Sequence, residues 1–348
     1  MSSIVGWDIG AANVKAALIS ADEKQTKQVR AASQPFEIWR ERDRLGMVLR
    51  SVFDSITSGV SPEAMAVTMT AELSDVFTTK REGVLFVLQS LRERFPSEAA
   101  YVFGLSGEFV SLNEAVTRPL EYAASNWLAS AQWFSRRNPD CLLIDVGSTT
   151  TDILPIVDGQ VCVSGRTDLE RLSTGELVYT GALRTNLAAI VHSVPVRGRL
   201  CRVASEYFAI SGDVHLILGN LDSEDYTCPA PDGTEPAIDS ARRRLARLVC
   251  ADAEMLSAGE TNEMARYVCG RQVLQIREGI EQVISRLPSL RMHPVVVFGS
   301  GSFLGLAAAR DAGLEISETT GDLGREEMAV APCVAVARLL YEHLRRER

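Results

Sequence analysis

Two stretches of this chain repeat one pattern, and the repeat constrains the fold more than any other feature. "IVGWDIGAANVKAALIS" covers residues 4–20 and "CLLIDVGSTTTDILPI" covers residues 141–156. Each runs from apolar residues through Asp-x-Gly and a short polar turn into a second apolar run, the pattern of a strand–turn–strand hairpin. Aligning them places Asp8 on Asp145, Gly10 on Gly147, Asn13 on Thr150 and Lys15 on Asp152. Each copy also opens a long stretch of alternating strand and helix patterns, which favours duplicated halves over two unrelated hairpins.

The duplication predicts an α/β chain of two similar domains that face each other across a cleft. We expect the first domain to cover 1–137 and the second to cover 138–332, with an insertion at about 175–290. A last helix, 333–348, would pack back on the first domain. In the first half, strands are expected near 4–8, 14–20, 29–36, 64–69 and 100–104, with a helix over 123–136.

The turns of the two hairpins have the composition of a phosphate site. Backbone N–H groups and hydroxyls can surround a polyphosphate, Lys15 can neutralise one of its oxygens, and Asp8 and Asp145 can hold Mg²⁺. A third element, "PVVVFGSGSFLGLAAA" (294–309), reads as strand, glycine-rich turn and helix N-terminus, which also favours anions. The predicted phosphate-binding residues are Gly10, Asn13, Gly147, Ser148, Thr149, Thr150, Asp152, Gly299, Ser300 and Gly301.

The glycine-rich turn has a second interpretation. Together with Glu318 it matches a weak dinucleotide-binding fingerprint. Such a turn normally opens its domain, and this interpretation leaves both Asp-x-Gly hairpins without a role, so we discount it.

Charge and composition exclude several classes of protein. The net charge of −9 argues against a nucleic-acid partner, and "ARRRLAR" (241–247) is expected to form the solvated face of a helix. Seven scattered cysteines without a C-x-x-C pair fit a reducing cytoplasm. No apolar run approaches a membrane span and no leader pattern opens the chain, so no membrane partner is expected.

The motif order resembles the superfamily of sugar kinases, heat-shock ATPases and actin, with two duplicated ribonuclease-H-like domains. Within it, "DVGSTTTDI", "TGELVYTGALRT" (174–185) and "MTAELSDVF" (69–77) resemble the hydantoinase and oxoprolinase branch. With "AASNWLA" (123–129), the chain is most similar to the synthase group of methylofuran biosynthesis, in tetrahydromethanopterin-linked one-carbon metabolism. That resemblance implies an enzyme that couples an aminomethylfuran diphosphate to the phenol of γ-glutamyltyramine or a tyrosine analogue. Diphosphate would leave, Mg²⁺ would assist, and ATP would not be consumed.

Candidate residues for the base and for substrate contacts each have a structural alternative. Glu72 and Asp75 follow an apolar strand and could deprotonate the phenol, unless Thr70 caps a helix whose first turn they stabilise. Asn126 and Trp127 could contact substrate, although a tryptophan on such a helix is more often a core residue. Arg184 could bind the glutamyl carboxylate or form a surface ion pair.

Two other functions remain open. An ATP-dependent small-molecule kinase or oxoprolinase-type ATPase would need an adenine slot, which Phe298 and Phe303 could line or block. Ala11 and Ala12 make the first turn poor in donors, which favours the synthase. A nucleotide-switched interaction protein is less favoured, and homo-oligomerisation stays open.

In 211–233, Asp213, His215 and further acids suggest either a second metal site or, as we prefer, a structural connection.

Overall fold

The first strand consists of apolar residues of the kind found in a sheet that is covered on both faces. Ile4, Val5 and Trp7 are fully buried, and their strand is paired on both sides, as near-continuous apolar runs in α/β folds require. We describe a computed structural model that covers residues 2–21, 27–317 and 330–346. Glu318 lies outside these residues.

The described residues form strands and helices in the alternation expected of an α/β chain. The strands are β1 Ser2–Gly10, β2 Asn13–Ala21, β3 Lys27–Pro35, β4 Ala64–Thr70, β5 Ala100–Phe103, β6 Phe109–Ser111, β7 Cys141–Val146, β8 Thr151–Val157, β9 Gln160–Val161, β10 Leu177–Val178, β11 Ser193–Val196, β12 Arg199–Arg202 and β13 Val295–Phe298. The helices are α1 Ile38–Glu41, α2 Leu45–Thr57, α3 Lys80–Arg94, α4 Leu112–Ala115, α5 Asn126–Ser135, α6 Asp168–Thr174, α7 Leu187–Ile190, α8 Ser211–Leu218, α9 Ile238–Arg247, α10 Ala258–Arg286, α11 Ser302–Asp311 and α12 Ala331–Arg346. The five strands predicted in the first half are confirmed, and the helix expected over 123–136 is shorter at both ends.

Residue contacts divide the chain into two units. Unit 1 contains Met1–Pro139, Ile156–Val161 and Gly321–Arg348, and unit 2 contains Asp140–Pro155 and Cys162–Thr320. The sheet of unit 1 has the order β3-β2-β1-β4-β5-β6. Its strands β1, β2 and β3 are antiparallel, whereas β4 runs parallel to β1 and β5 runs parallel to β4.

The sheet of unit 2 repeats this plan. Its order is β10-β8-β7-β13, with β13 parallel to β7 and β10 antiparallel to β8. In both units, a hairpin supplies the first two strands, a third strand pairs antiparallel with the second, and a later strand pairs parallel with the first. This confirms the predicted fold class of two duplicated ribonuclease-H-like domains. How the domains face each other stays a prediction.

The helical part of unit 2 contradicts one expectation. The run 241–247 lies on α9, but Arg244 is fully buried instead of solvated. Its guanidinium donates to Asp213 at 2.6 Å and to Asp232 at 3.0 Å, and the hydroxyl of Tyr226 donates to Asp213 at 3.0 Å. A buried guanidinium needs such carboxylate partners to offset its desolvation. The basic run therefore has a structural role within unit 2.

The last helix, α12, packs against β1, β2, β4 and α5 of unit 1. A Cβ on Gly6 would lie 2.0 Å from the carbonyl oxygen of Cys333, so only glycine lets β1 come this close to the helix. Within the residues that the structure describes, no helix combines the length and the apolar character needed to cross a membrane.

Candidate functional site

The first hairpin turn, residues 11–12, is held in place through its carbonyl oxygens. Strands β1 and β2 pair Asp8 with Lys15 across the hairpin. The oxygens of Ala11 and Ala12 accept hydrogen bonds of 3.0 Å from backbone N–H groups at positions 38 and 36. With these oxygens occupied, the groups that the turn can offer an anion are its N–H donors.

Asp8 and Lys15 belong to one charged site of unit 1. Asp8 is only 8% exposed and lies level with Thr68 on the parallel strand β4. Burial and the Asp8 carboxylate raise the pKa of the Cys333 thiol well above its ordinary value, and the Lys15 charge opposes them. Both charges therefore act on the same buried thiol of unit 1.

The two candidate bases follow β4 at the same edge of the sheet. Thr70, the last residue of β4, lies level with Gly10. No helix begins after Thr70, since 71–79 forms turns and α3 is capped by Thr79, so the interpretation of Thr70 as a helix cap is wrong. Glu72 is 2% exposed, whereas Asp75 is exposed.

The second turn, residues 147–150, is here called the hydroxyl turn. It is closed by a 2.9 Å bond from the N–H of Gly147 to the oxygen of Thr150. The oxygens of Gly147 and Ser148 accept bonds of 2.9–3.0 Å from the N–H groups of residues 182–184. This turn thus repeats the first one, because a later segment holds its carbonyl oxygens. The donors that it can offer an anion are the N–H groups after Gly147 and its three hydroxyls.

Gly181 explains how residues 180–184 lie so close to the hydroxyl turn. A Cβ at this position would lie 2.5 Å from the amide nitrogen of Thr149, a distance that side chains do not tolerate. The neighbouring Thr180 accepts a 2.8 Å bond from the hydroxyl of Thr151. The sequence motif containing Gly181 thus supports the turn, a role that we did not predict for it.

Residues 299–301, here called the glycine turn, lie against the end of β7. Phe298 is level with Asp145 in the parallel pair β13–β7, and the N–H of Gly301 donates to the oxygen of Val146 at 2.8 Å. A Cβ at Gly299, whose φ is +93°, would lie 2.5 Å from Oδ1 of Asp145. Unit 2 therefore brings together Asp145, the hydroxyl turn and the glycine turn, with Ser300 exposed between the two glycines.

Asp152 has a different role from the predicted one. Its carboxylate accepts a 2.6 Å bond from Arg171, whose side chain is 1% exposed and also donates to the oxygen of Glu176. A carboxylate committed to a buried guanidinium, and itself negative, is not a phosphate ligand. We therefore remove Asp152 from the phosphate set, because its ion pair holds α6 to the sheet.

The candidate substrate residues separate into half-buried and buried positions. Trp127 is 3% exposed and is a core residue of unit 1, whereas Asn126 is half-buried at the start of α5. Arg184 is half-buried and its backbone N–H donates to Ser148 at 2.9 Å. Arg184 thus lies directly beside the hydroxyl turn.

Two further features do not form a ligand site. A surface cavity of about 460 Å³ in unit 1 is lined by Trp39 and three arginines, but each guanidinium lies within ion-pair distance of a neighbouring carboxylate. In 211–233, Asp213 is bound to Arg244 and His215 to Gln272, so these side chains are structural partners. This favours the structural connection over the second metal site.

Each unit has one carboxylate, near the end of the first strand of its hairpin, of the kind that binds magnesium. Mg²⁺ is usually bound by one or two carboxylates, with phosphate and water oxygens completing its coordination. Asp8 and Asp145 each lie within two residues of the end of the first strand of a hairpin, and glycine at 299 leaves space beside the Asp145 carboxylate. Within the described ranges, no group of three or more His, Cys, Asp or Glu side chains could hold a metal ion. Each carboxylate, taken by itself, therefore suits a metal that arrives with a phosphate ligand.

Comparison with known proteins gives two near relatives and distant structures. The family model described as hydantoinase/oxoprolinase matches residues 63–343. The (4-{4-[2-(gamma-L-glutamylamino)ethyl]phenoxymethyl}furan-2-yl)methanamine synthase of Methanocaldococcus jannaschii is 36% identical over 343 residues, 98% of each chain. The synthase of the same name from Methanococcus vannielii is 43% identical over 126 residues, 36% of this chain and 56% of that protein. Among solved structures, the activator of 2-hydroxyisocaproyl-CoA dehydratase from Clostridium difficile aligns over 99% of this chain and 98% of its own, at 12% identity and a TM-score of 0.44. Because this structural similarity is so distant, the fold assignment rests on the strand order alone.

Proposed function

The chain belongs to the hydantoinase/oxoprolinase family, and from that premise we propose that it is a synthase of methylofuran biosynthesis. The observation that carries the proposal is the 36% identity to a named synthase over 98% of both chains. The name of that relative describes a phenoxymethyl furan, which is an ether between a phenol and a furan CH₂ group. We infer the same reaction here, between an aminomethylfuran diphosphate and the phenol of γ-glutamyltyramine or a tyrosine analogue.

The proposed step is a displacement at the furan CH₂ carbon. The phenol oxygen forms the new C–O bond, the C–O bond to diphosphate breaks, and its electron pair leaves with the diphosphate. The phenolic proton passes to a base. The electron-rich furan spreads positive charge from the reacting carbon, so the barrier depends largely on stabilising the departing anion.

The hydroxyl turn is the proposed site for that anion. The carbonyl oxygens of Gly147 and Ser148 accept hydrogen bonds from residues 182–184, and the proposed phosphate contacts are the free N–H groups and the hydroxyls of the turn. The glycine turn lies beside Asp145 and leads into the N-terminus of α11, whose dipole favours negative charge. Asp145 would hold a magnesium ion that neutralises charge on the diphosphate, and Asp8 remains the predicted carboxylate ligand from unit 1.

Unit 1 supplies the proposed cation and base. Lys15, paired with Asp8 across the hairpin, would contact a diphosphate oxygen. The reference pKa of a phenol, about 10, lies far above neutrality, so a carboxylate base near it would assist the attack. Glu72 is buried at the edge where β1 and β4 end, whereas Asp75 is exposed. This burial favours Glu72 as the base, and Arg184 remains the proposed partner of the glutamyl carboxylate.

An ATP-dependent kinase or oxoprolinase-type ATPase is the second candidate, because the glycine turn would also suit a nucleotide. Phe298 is 1% exposed in β13, and the ring of Phe303 packs against His215 with centroids 4.7 Å apart. Phe298 is thus enclosed in the core of unit 2, which removes one of the two rings that could line an adenine slot, whereas Phe303 is half-buried. This leaves the synthase as the better-supported function.

The test is an assay of the purified protein with Mg²⁺, the furan diphosphate and γ-glutamyltyramine. We expect one diphosphate released for each ether formed, measured by a phosphate assay after pyrophosphatase and by mass spectrometry, with no need for ATP. Omitting the phenol is the control for simple hydrolysis. Turnover that requires ATP, with release of ADP, would refute the synthase and support the kinase or ATPase.

A further inference from the structure

A buried pair of polar side chains in unit 2 has no part in the proposed reaction. His215 lies on α8 and Gln272 lies midway along α10, and both are fully buried. Nε2 of His215 is 3.0 Å from Oε1 of Gln272. The amide nitrogen of Gln272 donates to the hydroxyl oxygen of Thr180 at 2.9 Å and to the carbonyl oxygen of Gly181 at 2.7 Å.

These contacts determine where the protons are. A glutamine amide nitrogen has two N–H donors, and those of Gln272 donate to Thr180 and Gly181. Since the amide oxygen can only accept, the hydrogen bond to His215 must be donated by the imidazole. The imidazole therefore carries its proton on Nε2, and Nδ1 accepts from Asn220 at 3.3 Å. Burial lowers the pKa of His215 to about 4, which agrees with a neutral ring. Such a fully satisfied polar network permits one arrangement of its members.

The pair contacts the supports of both anion-binding elements of unit 2. Through Gly181 it holds the segment that lies on the hydroxyl turn, where a Cβ would come within 2.5 Å of the Thr149 nitrogen. Through its ring, His215 packs edge-on against Phe303, in the first turn of the helix that follows the glycine turn.

We propose that Gln272, oriented by His215, is a positioning residue for the hydroxyl turn. Its hydrogen bonds hold residues 180–181 against the hydroxyl turn. They thereby fix the distance between the hydroxyl turn and the glycine turn, which sets the spacing of the donors that a diphosphate would contact. An apolar side chain of the same length at position 272 would fill the space, but without hydrogen bonds it would not hold residues 180–181 in this position. Only the identity of the ligand rests on the proposed function.

The experiment compares Gln272→Met with Gln282→Met. Both variants replace a glutamine of α10 by a side chain of similar length, but Gln282 donates at 2.8 Å to the oxygen of Ser173, away from the turn. Hydrogen exchange of residues 147–151 is measured without ligand. Since each lost hydrogen bond weakens local stability modestly, we expect exchange about tenfold faster in Gln272→Met and unchanged in Gln282→Met.

A second readout separates positioning from a general loss of structure. Calorimetry with inorganic diphosphate and Mg²⁺ should give a Kd about tenfold weaker in Gln272→Met, with the Kd of tyramine, which lacks the carboxylate proposed for Arg184, unaltered. If Gln272→Met does not fold, Thr180→Val removes one of the two acceptors without changing α10 and should speed exchange of the turn in the same direction.

The outcomes are distinct. Exchange of residues 147–151 at the wild-type rate in Gln272→Met, or in Thr180→Val where that variant replaces it, overturns the inference. Equal weakening of both ligands would also overturn it, because that result indicates a structural role only. Faster exchange in a protein whose wild type does not bind diphosphate would support the positioning role and refute the proposed function.

Discussion

Acidification should destabilise the protein through His215, and His215→Gln should remove that sensitivity. The glutamine amide keeps an N–H donor toward Gln272 but does not titrate. Burial of the imidazole lowers its pKa in the folded protein to about 4 from the ordinary 6.5. The hydrogen bond to Gln272 opposes this effect only in part.

The direction follows from proton linkage. Well above pH 6.5 the ring is neutral in both states, so the pKa difference contributes nothing. As the pH falls through 6.5, the unfolded chain binds a proton that the folded protein does not bind, and stability is lost until the folded ring also titrates near pH 4. At about 1.4 kcal/mol for each tenfold difference in proton affinity, the complete loss amounts to about 3 kcal/mol.

The assay is urea unfolding at pH 7 and pH 4.5 for both proteins, followed by circular dichroism. Carboxylates that titrate in this range affect both proteins alike, so the informative quantity is the difference between the two losses of unfolding free energy. We expect the wild type to lose about 2 kcal/mol more than His215→Gln, with equal denaturant slopes. Parallel losses in the two proteins would refute the assignment of a buried, neutral imidazole.

Five substitutions test the proposed reaction. Asp145→Asn should lower Mg²⁺-dependent turnover by a factor on the order of a hundred, and unchanged turnover would remove Asp145 from the mechanism. Lys15→Ala should raise the apparent constant for the furan diphosphate, measured in steady-state assays, and an unaltered constant would leave Lys15 without a phosphate contact. Glu72→Gln should lower turnover mainly near neutral pH, whereas a loss seen only in Asp75→Asn would transfer the role of base. Arg184→Ala should raise KM for γ-glutamyltyramine but not for tyramine, and equal effects on both would exclude a contact with the glutamyl carboxylate.

Local sequence patterns were sufficient to predict those features of the structure that depend on residues close together in the chain. The two Asp-x-Gly hairpins, the strand-to-turn positions of Asp8 and Asp145, and the glycine turn all follow from residues close together in the chain. The repeated strand order follows from the same hairpins, because each one starts a sheet in the same way.

Other predictions were wrong because a distant partner decided the outcome. Asp152 looked like part of a polar turn, but Arg171, 19 residues later, binds its carboxylate. Arg244 belongs to a basic run on a helix, yet Asp213, 31 residues earlier, allows it to be buried. Composition and periodicity do not indicate which charged side chain will meet a partner in the interior.

The sequence by itself determined the duplicated fold and the chemical character of the two turns, because strand alternation, glycine turns and strand-end carboxylates are local features. Only the tertiary structure decided how the turns are held. Gln272 reaches Gly181 across 91 residues of chain, and Gly181 has to be a glycine only because the Ser148–Thr149 peptide lies against it. Such contacts arise when helices and sheets pack, and packing brings together residues whose positions in the chain carry no sign of their partners.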